Sequence, residues 1–165
     1  MGPEKISAQK IALIAWNKSV EEKELTVLRK SLADLNYRVD VVYELSQLDQ
    51  QLCEYEKNGE SPLEIVSHFH FPKVPLSGLN RRILRRLKAA NPEAQPRITA
   101  VTQRLLGADL SQFAIDSSAD VMVKAADLPQ AIIDIFRKPK ETEKCEGRKL
   151  PVVHADLRNQ SLETS

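Results

Sequence analysis

Apolar runs of strand length alternate with longer stretches of helical period five times along this chain. That pattern predicts βα units closing a parallel sheet with both faces covered. The first run, 10–16, is nearly continuous in Ile11, Ala12, Leu13, Ile14 and Ala15, as a strand buried on two sides requires. Ser19-Val20-Glu21-Glu22 then reads as a capping box, and Leu25, Leu28, Leu32 and Leu35 follow at spacings of three and four on one helical face. A second strand over 39–43 leads to a helix that Ser46 can cap, with Leu48, Leu52 and Tyr55 in one stripe and Asn58-Gly59 as its stop.

The third strand covers 63–69, and Pro72 with Pro75 breaks the chain after it. Residues 77–90 predict a helix with Leu79, Ile83 and Leu87 inward, stopped at Asn91-Pro92. A fourth strand over 98–101, a weaker helical segment over 105–113 containing Gly107 and a last strand over 120–124 complete the alternation. The final helix has Asp127 as its cap, Pro129 in its first turn, and Ile132, Ile133 and Phe136 for the core. From residue 139 the composition turns polar and charged and cannot bury enough apolar surface to offset chain ordering. The organisation expected is a polar leader over 1–9, one domain over 10–138 and a polar linker or tail over 139–165. Leu150-Pro151-Val152-Val153 is the one place in the tail able to dock as an extended segment.

Composition narrows the function classes. At 165 residues and 42% hydrophobic content the chain suits one core. Lys and Arg total 24 against 23 Asp and Glu, so no global charge draws it to nucleic acid or an acidic membrane. Cys53 and Cys145 lie far apart without CxxC spacing, which is neither a disulfide framework nor a zinc site. No apolar stretch approaches the roughly 20 residues of a spanning helix, and Met1-Gly2-Pro3-Glu4-Lys5 lacks the apolar core of a signal peptide. The expectation is a cytoplasmic protein, or the cytosolic part of a membrane-bound one, with no cofactor.

Three strand ends carry a resemblance: Ser67-His68-Phe69-His70-Phe71-Pro72, Ala100-Val101-Thr102-Gln103 and Ala119-Asp120-Val121-Met122-Val123-Lys124. With the alternation and a length of about 130 residues, they make the chain similar to the response-regulator receiver domain of two-component signalling. The resemblance implies an α/β, flavodoxin-like (CheY-like) doubly wound sheet of five parallel strands in the order 2-1-3-4-5, with its site at their carboxyl ends. It also implies what is missing. Receivers place paired acids after the first strand to hold magnesium, and Ala15 and Trp16 stand at those positions. The phosphoacceptor aspartate corresponds to His68, four residues before Pro72. Thr102 matches the hydroxyl that bonds the phosphoryl group and Lys124 the lysine that pairs with it. The aromatic switch position is Val121, the proline after the lysine is Ala125, and the loop before Gly78 is about two residues longer than the family's.

Each candidate has a plainer reading. His68 and His70 alternate as a His-x-His pair able to bind a metal, but no third ligand is evident, and a polar strand end explains them equally. A phosphohistidine at His68 would lack supporting metal and acids. Thr102 and Lys124 form either a vestigial anion pocket or a lysine paired with a nearby carboxylate. Arg81, Arg82, Arg85, Arg86 and Lys88 put five cations on the third helix with no acid between Ser77 and Ala90, either a solvated face or a patch for an acidic protein or phosphate partner. DNA binding is disfavoured by the absence of a helix-turn-helix or zinc pattern. Glu44, Asp49, Glu54, Glu56 and Glu60 give the second helix region the opposite sign, so complementary patches could support self-association.

The function these features imply is a non-catalytic, non-phosphorylatable pseudo-receiver. It would act through protein contacts in two-component signalling, as part of a hybrid sensor kinase or of a regulator. Its partner would be a sensor kinase or a neighbouring domain, and the resemblance implies a homodimer through the fourth and fifth helices, 105–113 and 128–136. The alternative is a flavodoxin-like domain binding a small molecule or anion around Trp16, His68, Thr102 and Lys124. Trp16-Asn17-Lys18-Ser19 offers no Gly-rich phosphate loop. A phosphoacceptor with altered chemistry is the third reading.

Overall fold

β1 (Lys10–Ala15) and β3 (Glu64–His68) lie side by side within a parallel sheet and, the exposed Lys10 apart, are buried along their length. β2 (Tyr37–Val42) flanks β1, and β4 (Arg97–Thr102) and β5 (Val121–Lys124) continue from β3, giving the order β2-β1-β3-β4-β5. That is the flavodoxin-like doubly wound order expected from the sequence, and every pairing is parallel. The computed structural model describes residues 10–102 and 118–138 and the backbone of Val152–Val153. The segment 105–113, expected to be the fourth helix, lies outside the described residues.

Helices α1 (Glu22–Asp34), α2 (Leu45–Asn58), α3 (Leu76–Ala90) and the last helix, Gln130–Phe136, divide the apolar side chains into two cores. On one face Leu13, Ile65, Ile98 and Met122 pack against Leu48, Leu52, Leu79 and Ile83 of α2 and α3. On the other, Ile14, Val66 and Val101 meet Leu25, Leu28 and Leu32 of α1 and Ile132 of the last helix. Alternate strand residues thus go to opposite cores. Full burial of each such leucine or isoleucine contributes about 1.5–3 kcal/mol.

The helix ends differ from their sequence prediction. α1 begins two residues later than the Ser19 capping box would put it: its N-cap is Glu21, and no side chain caps it. The Ser19 amide instead bonds to Asn17 Oδ1 at 3.0 Å. Ser46 lies inside α2, whose entry is set by Gln47 Oε1 accepting the Tyr43 amide at 2.7 Å. Gly59 ends α2 at φ +69°, as its lack of a side chain permits. Asp127 sits in a 3₁₀ turn, Ala125–Asp127, and Pro129, after a cis peptide bond, precedes the last helix. The tail contributes a sixth strand, β6 (Val152–Val153), paired parallel to β5 with Val121 opposite Val152.

At the amino end of the sheet, β3 and β4 pair Glu64 with Arg97. Arg97 Nε and Nη2 donate to the two Glu64 carboxylate oxygens at 2.9 and 2.8 Å, and Nη2 also reaches the Ile135 and Lys138 carbonyls at 2.9 and 3.2 Å. This buried fork anchors the last helix to the sheet. The Glu64 carboxylate is only 3% exposed, and after burial itself it is the next cause that pushes the Tyr37 hydroxyl above its ordinary pKa. Arg97→Ala would leave Glu64 buried without its main partner and is expected to cost about 3–5 kcal/mol. The double variant Arg97→Met with Glu64→Leu should recover most of that loss in urea denaturation, and equal losses in the two proteins would refute the pairing as the cause.

Candidate functional site

The carboxyl ends of the strands meet where the chain order reverses, between β1 and β3, which is where doubly wound sheets carry their sites. His68 ends β3 there and is fully buried. Its Nδ1 accepts the His70 backbone N–H at 3.0 Å, so in the neutral ring the proton resides on Nε2. Nε2–H donates to Glu21 Oε1 at 2.6 Å. Burial pushes the imidazole below its ordinary pKa, and the Glu21 carboxylate pulls the other way without prevailing. With both nitrogens engaged, the ring can neither attack an electrophile nor ligate a metal without first breaking a bond.

The loop from β1 to α1 closes over this ring. Trp16 follows β1, where Ala15 lies opposite Ser67, and its fully buried indole stands 4.6 Å from the His68 ring at a 58° tilt. Trp16 Nε1–H donates to the Val20 carbonyl at 2.8 Å, and Asn17 Nδ2 donates to the His70 carbonyl at 2.8 Å. Glu21 occupies the left-handed region at φ 47°, ψ 50°, a conformation that costs a residue with a side chain about 1–2 kcal/mol. That backbone turn accompanies the Glu21–His68 hydrogen bond. Sequence reasoning assigned Glu21 only to a capping box, and no spacing signal pairs it with a residue 47 positions away.

Ala15 and Trp16 fall where the resemblance places magnesium-binding acids, and neither offers an oxygen side chain. The indole fills the space instead, so the residues present do not fit a divalent cation. Among the described residues no three His, Cys, Asp or Glu side chains converge as a metal site. His70 lies beyond β3, its ring stacked 5.5 Å from His68, and the pair gathers no third ligand there. Thr102 and Lys124 end β4 and β5 opposite each other in register, one and two strands from the His68 strand. Thr102 is buried, Lys124 half-buried, and each already interacts within the protein.

Two of the five cations of α3 are paired within the protein. Arg82 forks onto Asp49 of α2 through Nε at 3.0 Å and Nη2 at 2.8 Å, and this holds the Asp49 carboxyl below its usual pKa. Arg86 joins it, 3.7 Å from Asp49 and 3.2 Å from Cys53 Sγ. The opposite signs of α2 and α3 are therefore partly matched within one molecule. Arg81, Arg85 and Lys88 remain exposed, with no ion pair among the described residues.

No protein-family model and no curated protein matches the sequence. Solved structures do. The chain is similar to the signal receiver domain of an HD domain-containing protein from Pseudomonas fluorescens Pf-5, at 15% identity and a TM-score of 0.54 over 78% of this chain and 92% of that one. It is similar to the receiver domain of a DNA-binding response regulator from Colwellia psychrerythraea 34H, at 14% identity and a TM-score of 0.55 over 78% and 95%. A third is the phosphorylated cyanobacterial phytochrome response regulator RcpA, at 15% identity and a TM-score of 0.52 over 87% and 99%. At these identities the likeness is one of architecture, and the chain shares the flavodoxin-like fold of these receiver domains.

Proposed function

We propose that this chain is a pseudo-receiver, a non-phosphorylatable module of two-component signalling that acts by holding a protein partner. The observation that carries the reading is His68. A receiver needs an accessible carboxylate there to form an acyl phosphate, together with oxygen ligands for the metal that neutralises the incoming phosphoryl group. This chain has instead an enclosed imidazole between Glu21 and His70, with Trp16 in place of the ligands. The β1–α1 loop is thereby held in one position by side-chain hydrogen bonds.

A partner is then recognised by surface. Arg81, Arg85 and Lys88 stand at helical spacings of four and three on the exposed side of α3 and suit an acidic segment of a sensor kinase or neighbouring domain. Outward on the last helix are Gln130, Asp134 and Arg137, so homodimerisation there would be a polar contact. The second reading, an anion site at Thr102 and Lys124, draws on their shared register at the strand ends.

Incubation with acetyl phosphate and magnesium at neutral pH should leave the intact mass unchanged, and a stable phosphoryl adduct would overturn the reading. His68→Asp should not restore phosphorylation. It should also lower stability by about 2–4 kcal/mol, because the new carboxylate would be buried facing that of Glu21. Its urea midpoint and its mass after acetyl phosphate check the two claims separately. Millimolar inorganic phosphate should leave the melting temperature unchanged, and a rise that Lys124→Ala abolishes would favour the anion-binding reading.

A further inference from the structure

We propose that His68 is a proton-operated latch: a second proton, taken from solvent onto Nδ1, breaks the bond to the His70 amide and loosens the Asn17 contact of the β1–α1 loop at the end of β3, while Glu21 stays on the ring. The geometry treats the two ring nitrogens differently. Nε2–H faces a carboxylate, which welcomes an imidazolium. Nδ1 faces a backbone N–H, which can only donate, so a proton there sets donor against donor. The backbone of His70 is the moving part. Its N–H is held by His68 and its carbonyl, in the next peptide group, by Asn17 Nδ2 of the loop, so displacing this residue's backbone pulls on both contacts.

The ring's surroundings fix the direction of the response. Trp16 of β1 and Phe69 pack against it without charge, at centroid distances of 4.6 and 5.2 Å. Glu21 at the start of α1 favours the imidazolium, whereas His70 in the turn after β3 and burial oppose it. Lys124 ends β5, two strands from β3, and Lys18 and Lys73, both exposed, lie in the loops after β1 and β3. The opposing causes win, so the folded protein keeps His68 neutral through the neutral range. Its contribution to stability is complete above the ordinary histidine value of 6.5 and is lost as pH falls through the lower, folded value. Acid therefore opens the latch.

As the input of a signalling module this inference rests on the pseudo-receiver reading, but the latch itself does not, and the acetyl phosphate result leaves it standing or falling alone. Trp16 is the chain's single tryptophan and touches the His68 ring, so its emission reports the site in the intact protein. On acidification of the full chain the emission should change with a midpoint below pH 6.5 while far-UV circular dichroism stays constant. Glu21→Gln removes the carboxylate that favours the imidazolium and should move the midpoint to lower pH. His68→Gln keeps a donor toward Glu21 without a titrating ring and should abolish the transition. Should that variant not fold, proton NMR of the wild type must show one of its three histidines titrating with the Trp16 midpoint, apart from the other two. A transition that survives in His68→Gln, one that coincides with loss of the circular dichroism signal, or none before global unfolding would each overturn the latch.

Discussion

β3 is a five-residue strand buried along its whole length, and it carries an ionisable side chain at each end. A parallel strand covered on both faces has no solvent to hydrate such groups, so each must find its partner inside the fold. Glu64 finds Arg97 on the neighbouring strand, and His68 finds Glu21 across the loop from β1. The two contacts fix different things. The first ties the last helix to the amino edge of the sheet through the Ile135 and Lys138 carbonyls. The second ties α1 to the carboxyl edge, where a doubly wound sheet has its site.

The consequence at that site is a change in what holds the loop. In a metal-dependent receiver, oxygen ligands gather around a cation, and the loop position responds to what the cation binds. Here the cohesion comes from an imidazole, an indole and two carbonyls: Trp16 Nε1 on Val20, Asn17 on His70, and the His68 ring between Glu21 and the His70 amide. These contacts are short and internal, and they need no small molecule. Loop position then depends on side chains of the chain itself, Glu21, His68 and Asn17 among them.

The apolar pattern made the fold legible: all five strands, the inward faces Leu25-Leu28-Leu32, Leu48-Leu52-Tyr55 and Leu79-Ile83-Leu87, and the Gly59 stop stand where periodicity places them. The helix starts were less legible. Ser19, Ser46 and Asp127 are good caps by residue type, yet Asn17, Gln47 and a 3₁₀ turn occupy those junctions, because capping is decided by loop geometry that one sequence does not disclose. At the site, His68, Trp16 and Ala15 were found through the family frame, whereas Glu21 and Asn17 were missed. Their partners are 47 and 53 residues away, and hydrogen bonds of that span leave no periodic trace. The α3 cations show the same limit: composition gave five charges of one sign, but only the placement of Asp49 decides that Arg82 and Arg86 are engaged.

On the pseudo-receiver reading proposed above, Ala15, Trp16 and His68 are better understood as one substitution than as three. A pocket built for hydrated carboxylates and a cation would be an unfilled polar void once the cation is gone, and interiors close such voids at native packing density. The indole fills it, and filling it removes the water that a carboxylate at residue 68 would need. An imidazole tolerates the dry site because it can be neutral and still satisfy a donor and an acceptor at once. Each of these residues makes the others' alternatives worse, so their effects are coupled rather than additive. On that reading, reversal at one position changes one member of a packed set, Trp16 against His68 and His68 against Glu21, and leaves the other contacts in place.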